Sequence, residues 1–279
     1  MKKVFLTFGD GAANFAAARD RVVREAQATG IFDEVVGGDW SAASEEMARS
    51  VLRREPRGCG YWAWKPDLVW QTLKRLAEGD VLVYSDGGNV VHRAHGQWQR
   101  LWQTLATKDL VVRREMGCAF KWIRRELLEA FADDLPAGPC LCRVFEANLI
   151  AIRKTPFTMR LVEEWRDVML RRPELVRDVE VGDRQLPSFV QNRHDQAVWT
   201  LLVSKYLARP ETREKIATSW DFHFGWWPLG NPVVTVARHR GGESCRITFK
   251  RRLSRAVFRT IWMVRDWFER RGVQVCWIR

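Results

Sequence analysis

From position 79 the chain reads Gly-Asp-Val-Leu-Val-Tyr-Ser-Asp-Gly-Gly, ending at Gly88. A turn signal leads into a short apolar run rich in Val, Leu and Tyr, which predicts a buried strand, and the run stops at a carboxylate and two glycines. Asp86 therefore belongs at a strand's carboxyl end. In an open α/β sheet this is where ligands bind, and Gly87 and Gly88 would let a phosphate or a metal-bound oxygen come close to the backbone. Asp-Gly is also an ordinary turn dipeptide, so a plain turn is the competing reading of these residues.

The remaining composition narrows the partners more than the chemistry. With 279 residues, 46% of them hydrophobic, the chain can bury a large core. The 46 Lys and Arg against 34 Asp and Glu give a formal charge of +12, which favours an anionic partner: nucleic acid, an acidic membrane or a phosphorylated ligand. Fifteen Trp against three Tyr supply broad apolar faces suited to sugars, bases and membrane interfaces, although most should be core. The six cysteines, Cys59, Cys118, Cys140, Cys142, Cys245 and Cys276, form no C-x-x-C pair and read as reduced thiols in a cytoplasmic protein, with no zinc site expected. The apolar run after Met1-Lys2-Lys3 ends at Gly9, too short for a signal peptide, and no stretch is long enough to span a bilayer.

In chain order, residues 3–8 predict a strand, followed by Gly9-Asp10-Gly11 and a helix with Phe15, Val22, Val23 and Ala26 on its apolar face. A dinucleotide fingerprint is weak here because Asn14 stands where the third glycine belongs. Residues 31–36 predict a second strand and 41–54 a helix. Gly58-Cys59-Gly60-Tyr61-Trp62-Ala63-Trp64-Lys65-Pro66 then opens a helix with Leu68, Val69, Leu73 and Leu76 apolar; its N-terminus, preceded by a lysine, suits an anion. Trp62 and Trp64 read equally well as a hydrophobic plug or as ligand contacts. Helices are expected over 98–105, 122–131 and 156–169, a strand over 110–112 and a single central strand over 145–152. At 192–199, Asn192 or Asp195 could cap the following helix; the neighbouring Arg193, His194 and Gln196 equally suit a polyhydroxylated ligand. An aromatic tract at 220–227 precedes a strand at 233–236, after which His239 and Arg240 fall just before two glycines. The segment 247–271 predicts a basic amphipathic helix, either packed on the domain or drawn to anionic lipid.

Four of these segments together, GYWAWKP (60–66), GDVLVYSDGGN (79–89), FEANLIAI (145–152) and NRHDQAVWTLL (192–202), resemble bacterial GT-A-type glycosyltransferases of surface polysaccharide synthesis, the makers of capsule and lipopolysaccharide. The usual pattern is G-(F/Y)-G-Y-W-x-W-K-P, a strand ending Y-x-D-A-G, and a later H-D-Q. Cys59 replaces the first aromatic and Gly87 the alanine. The resemblance covers the chain up to about His239-Arg240 and implies an α/β fold with a mixed, mostly parallel central sheet flanked by helices; with the basic tail read above, the chain divides into a domain at 1–246 and a basic helical extension at 247–279. The resemblance implies hexosyl transfer, of the retaining kind, from a nucleotide-diphosphate sugar to a saccharide or lipid-linked saccharide. The donor-binding residues it implies are Phe8, Gly9, Tyr61, Trp64, Lys65, Pro66, Ser85, Asp86, Gly87, Gly88, His194, Gln196 and Arg240. Asp195 and Glu146 would accept hydrogen bonds from sugar hydroxyls or act as base. Mn²⁺ or Mg²⁺ is expected on Asp86 and His239, although Gly88 stands where the family's second acid would be. The place of action implied is the cytoplasm, with attachment to the inner face of the membrane through the tail, and without nucleic acid. Two other readings fit the residues: a nucleotidyltransferase on the same sheet, and a basic nucleic-acid-binding module using the tryptophans for stacking.

Overall fold

The computed structural model describes residues 1–135, 138–139, 142–218 and 233–236. The strands are β1 (Lys3–Phe8), β2 (Glu34–Gly38), β3 (Val81–Ser85), β4 (Asn89–Val91), β5 (Leu110–Val112), β6 (Arg114–Cys118), β7 (Arg143–Phe145), β8 (Leu149–Arg153), β9 (Ile216–Thr218) and β10 (Val234–Val236). The helical segments are α1 (Ala13–Gln27), α2 (Glu45–Arg49), α3 (Gly58–Tyr61), α4 (Trp64–Arg75), α5 (His95–Thr107), α6 (Ala119–Trp122), α7 (Arg125–Ala130), α8 (Pro156–Arg171), α9 (Pro173–Val176), α10 (His194–Ala208) and α11 (Pro210–Arg213).

The architecture is α/β, built on a central sheet in the order β2-β1-β3-β8-β5-β9. β8 pairs antiparallel with β3 and with β5, and the other pairings are parallel, so every strand but β8 runs the same way. This is the mixed, mostly parallel sheet expected. Alternation along β1 sorts the core: Val4, Leu6 and Phe8 face one layer, built with α4, α8 and α10, while Phe5 faces the other, built with α1 and α5. Two small antiparallel pairs, β4 with β10 and β6 with β7, stand outside the main sheet.

The predicted elements at 3–8, 110–112 and 156–169 are present, and four others differ. The second strand is Glu34–Gly38, later than 31–36. The helix expected over 41–54 is broken: Ser44 accepts from the Met47 amide to start α2, and Ser50 accepts from the Leu52 amide to start a separate 3-10 turn. Serine favours such caps over helix interiors. The helix expected over 122–131 becomes α6 and α7, with extended backbone at Ile123 and Arg124 between them. The strand expected over 145–152 is two strands in two sheets, β7 paired with β6 and β8 paired with β3, with residues 146–148 turning between them. On α1 the buried residues are Ala18, Arg21, Val22 and Ala26, whereas Phe15 is exposed.

Cys140, Cys245, Cys276, the aromatic tract 220–227, His239, Arg240 and the extension 247–279 lie outside the described residues. Among the described residues no helix is long and apolar enough to cross a membrane.

Candidate functional site

The approach to α4 is wound the wrong way for L-amino acids. Gly58, Cys59, Gly60, Tyr61 and Trp62 have φ of 59°, 50°, 95°, 53° and 61°. Glycine takes this left-handed region freely, but each other residue there costs about 1–2 kcal/mol. Packing enforces the turn. The Trp62 ring lies so close over Gly58 that a β-carbon there would come within 2.4 Å of it, and one at Gly60 would meet the Leu52 carbonyl at 2.7 Å. Tyr61 donates its amide to the Arg57 carbonyl at 2.8 Å, and Trp64 donates Nε1 to the Gly58 carbonyl at 3.0 Å. Trp64 also stacks on Phe8, ring centroids 4.0 Å apart. Both are buried, so this pair plugs the end of β1.

The turn delivers Lys65 to the centre of the molecule. Its side chain is 3% exposed, with Nζ 2.6 Å from Asp195 Oδ2 and 3.2 Å from Asp86 Oδ1. Nζ also donates to the Ala147 carbonyl at 3.2 Å. The ammonium thus lies against two carboxylates and one carbonyl. Burial works against the charge on Lys65, but the Asp195 and Asp86 carboxylates outweigh it and hold its pKa above the ordinary value. For Asp195, burial dominates and pushes the carboxyl up to about 6, against the pull of Lys65.

Asp86 forms the turn that its sequence allows and still presents its carboxylate to Lys65. Its carbonyl accepts the Asn89 amide at 3.0 Å, closing the turn through Gly87 and Gly88, while its carboxylate stays 32% exposed. Oδ1 takes the Tyr84 hydroxyl at 2.6 Å as well as Lys65. Tyr84 is fully buried, and burial, then the neighbouring Asp86, pushes its phenol well above its ordinary pKa, so it remains a donor. Oδ2 of Asp86 has no partner among the described residues. Gly87 closes against the protein itself: Arg21 donates to its carbonyl at 2.9 Å, and an added β-carbon would meet the Phe8 carbonyl at 3.1 Å. Gly9 is similarly filled, since a β-carbon there would lie 2.2 Å from the Phe15 carbonyl.

The residues expected around the start of α10 take different directions. Asn192 and Asp195 do not cap it. Asn192 donates to the carbonyls of Val176 and Arg177, both at 3.1 Å, tying down the end of α9. His194 is buried with φ of 49°; its ring stacks on Trp62 and its Nδ1 meets the Val176 carbonyl at 2.7 Å, which makes Nδ1 the protonated nitrogen. Burial lowers its pKa, so the ring is neutral. Gln196 donates to Glu115 at 2.9 Å and to the Phe145 carbonyl at 3.1 Å, bracing the β6–β7 pair. Asp195 alone of these points to Lys65.

Glu146 sits in the turn between β7 and β8, one residue from the carbonyl that Lys65 uses. It is buried, with Arg113 at 3.1 Å. Burial raises its pKa to about 7, with Glu115 adding to the rise and Arg113 opposing it. Among the other expected donor contacts, Ser85 is fully buried and accepts from Asn89 at 3.0 Å, Pro66 is buried in the first turn of α4, and Tyr61 donates to Asp178 at 3.4 Å. The structure thus unites Lys65, Asp86 and Asp195, pairs Glu146 with Arg113 instead, and packs Phe8, Trp64, Ser85 and His194 into the protein around them. Sequence reasoning missed Tyr84, and Asn148, whose carbonyl accepts the Asp86 amide at 2.9 Å. Tyr84 was findable, since it precedes Asp86 by two residues on a strand and must share its face.

Among the described residues no group of three or more His, Cys, Asp or Glu surrounds a common point. The donor set here is instead oxygen from one exposed carboxylate with a free Oδ2. That suits the Mg²⁺ or Mn²⁺ arrangement in which one or two protein oxygens hold an ion completed by water and phosphate.

No family model matches the chain. The quinate repressor protein of Talaromyces stipitatus is 24% identical to it over 116 residues, 40% of this chain. The chain spans only 14% of that relative's length. Among solved structures, mouse xyloside xylosyltransferase 1 in its apo form superposes with a TM-score of 0.39 at 11% identity, covering 84% of this chain and 96% of that one. The galactosyltransferase LgtC, in complex with donor and acceptor sugar analogs, gives 0.37 at 14% identity, covering 92% and 96%. Likenesses of this size leave the activity to be argued from the site.

Proposed function

We propose that the chain is a glycosyltransferase that moves a hexosyl group from a nucleotide-diphosphate donor to a saccharide or lipid-linked saccharide of a bacterial surface polysaccharide. The observation that carries this reading is the Lys65 ammonium bridging Asp86 and Asp195, because, with its bond to the Ala147 carbonyl, it joins all four resembling segments at the carboxyl end of β3. Lys65 acts through its neighbours. Set between them, it fixes two carboxylates at the site and offsets their mutual repulsion.

In the reaction the bond from the sugar's anomeric carbon to the diphosphate oxygen breaks, and a bond from that carbon to the acceptor oxygen forms. The acceptor proton leaves with a base or with the departing diphosphate. Asp195 accepts hydrogen bonds from sugar hydroxyls while ionised; Glu146, with a pKa of about 7, is suited to exchange a proton near neutrality. A divalent cation on Asp86, with His239 as a further ligand, would supply charge neutralisation at the leaving diphosphate. The basic segment 247–279 would hold the enzyme at the inner membrane face.

The test is a screen of sugar nucleotides for hydrolysis and transfer with the wild type and Asp86→Ala. Turnover of at least one donor, lost in Asp86→Ala, is expected. Equal turnover in both proteins removes the site assignment. Thermal stabilisation by bare nucleoside triphosphates but by no sugar nucleotide would favour nucleotidyl transfer instead. The anomeric configuration of the product, read by NMR, decides whether transfer is retaining.

A further inference from the structure

We propose that Arg21, on α1 and outside the site, is a positioning residue: its grip on the Gly87 carbonyl aims the Gly88 backbone N–H at a diphosphate oxygen beside Asp86. The turn after β3 runs from Asp86 to Asn89, closed by the Asn89 amide on the Asp86 carbonyl at 3.0 Å. Gly87 and Gly88 are its two central residues. Reversal of the peptide plane between two such residues converts one common turn type into another, and with glycine on both sides the reversal meets little steric resistance. The turn's own residues therefore do not fix that plane.

Arg21 fixes it. The side chain is 1% exposed, and it donates Nη2 to the Gly87 carbonyl and Nη1 to Glu25 Oε1, each at 2.9 Å. Glu25 Oε2 accepts the Val91 amide at 2.9 Å, so the same pair also holds β4 just beyond the turn. A planar charged fork anchored at a second point gives a directional bond that a flexible ammonium would not. Helix α1 backs the turn as well, since a β-carbon at Gly87 would lie 3.6 Å from the Arg19 amide nitrogen.

The direction of the plane follows from the two layers. Val22 and Ala26 of α1 pack with Phe5 and Val83, whereas Tyr84, whose hydroxyl meets Asp86, belongs to the opposite layer with Trp64 and Ala197. The Gly87 carbonyl points to Arg21 and so to the α1 layer. In a trans peptide the N–H lies antiparallel to the C=O, which turns the Gly88 N–H to the other side, where Asp86 meets Lys65. Among the described residues that N–H has no acceptor. A backbone donor held in place adds attraction for an anionic oxygen without ordering a side chain. The glycine that stands in place of a second acid thus contributes a donor. The choice of a diphosphate as ligand rests on the transferase reading; the orientation of the N–H does not.

The experiment follows the Gly88 amide by nitrogen–proton correlation NMR in the glycine-labelled full chain, as inorganic pyrophosphate and then UDP are added with Mg²⁺ present throughout. The wild type is expected to bind both, with the Gly88 amide proton shifted downfield. Arg21→Met should weaken both by about fivefold or more, the worth of one hydrogen bond, and remove the Gly88 shift. Arg166→Met removes a buried arginine from α8 instead; it should lower the urea midpoint yet keep both affinity and shift. That control separates position from stability. A wild type whose Gly88 amide stays unmoved at saturation overturns the proposal, as does one that binds neither probe. So does a folded Arg21→Met of wild-type affinity, or an Arg166→Met that loses affinity equally. If Arg21→Met fails to fold, Arg21→Lys decides: one ammonium lacks the fork that joins Glu25 to Gly87, so a loss of about threefold or more is expected, and unchanged affinity overturns the proposal. A protein whose Gly88 amide meets pyrophosphate but that turns over no sugar nucleotide would lose the transferase reading and keep this one. Turnover with a silent Gly88 amide would do the reverse.

Discussion

The first turn of α4 feeds two buried ion-pair clusters, and they are finished to different degrees. Lys65 enters the one already described. Asp67, two residues on, enters the other: its Oδ1 accepts from Ser44 Oγ and Arg166 Nε, each at 2.7 Å, and its Oδ2 accepts the Ser44 amide at 2.8 Å. Arg166 also meets Glu46 at 2.6 Å. Both oxygens of Asp67 are satisfied by this chain, whereas among the described residues Asp86 Oδ2 has no partner and Asn148 Oδ1 accepts no hydrogen bond. Burial and charge are alike in the two clusters. Completeness differs: a cluster that closes on itself ties α2, α4 and α8 together, and one with oxygens to spare awaits something from outside.

The sharpest way to break this contrast is Asp67→Ala. It removes the buried partner of the Arg166 guanidinium, leaving Glu46, and should cost about 3 kcal/mol of stability, read as a lowered urea midpoint. Any folded fraction should keep normal turnover; a stable protein with no turnover would erase the distinction. Asp86→Asn is the reciprocal case, with catalysis expected to fall about 100-fold or more while the urea midpoint stays near that of the wild type. A large loss of stability in that variant would make Asp86 another structural carboxylate.

Acid titration sharpens the same point. Turnover that depends on ionised Asp195 should fall as pH drops through about 6. Stability should respond oppositely through Glu146. Its folded pKa of about 7 lies above the ordinary 4.5, so the native state holds the extra proton between those values. Its contribution is present below about pH 4.5 and is lost as pH rises through about 7. Glu146→Gln should flatten this part of the profile, measured by urea midpoints at intervals from pH 4 to 8. The smallest effect expected is for His194→Phe, which keeps the stack on Trp62 but leaves the Val176 carbonyl without its donor. About 1 kcal/mol of stability should be lost, with a raised KM if the ring also sets the position of Asp195.

The sheet and the principal charges were legible because they depend on local pattern. An apolar run stopped by Asp86 marks a strand end in any context, and Pro66 marks a helix start. The strand expected at 145–152 failed because the division lies in partner choice: β7 and β8 read as one apolar run but join different sheets. Asn148 was hidden for the same reason, since its neighbour Asp86 is 62 positions away and adjacent only through the strand register. His194, Asp195 and Gln196 look like one polar group in sequence. A helix start with its first residue at positive φ sends them to three separate partners.

The left-handed turn from Gly58 to Trp62 has one more consequence. A segment of that hand has almost no tendency to form by itself, and beside the nearby Leu52 its supports, Phe8 and His194, come from two distant parts of the chain. Lys65 therefore reaches Asp86 and Asp195 only after those parts have met. A partly folded chain would carry every motif and still lack a site, so activity in this protein doubles as a report that folding has finished.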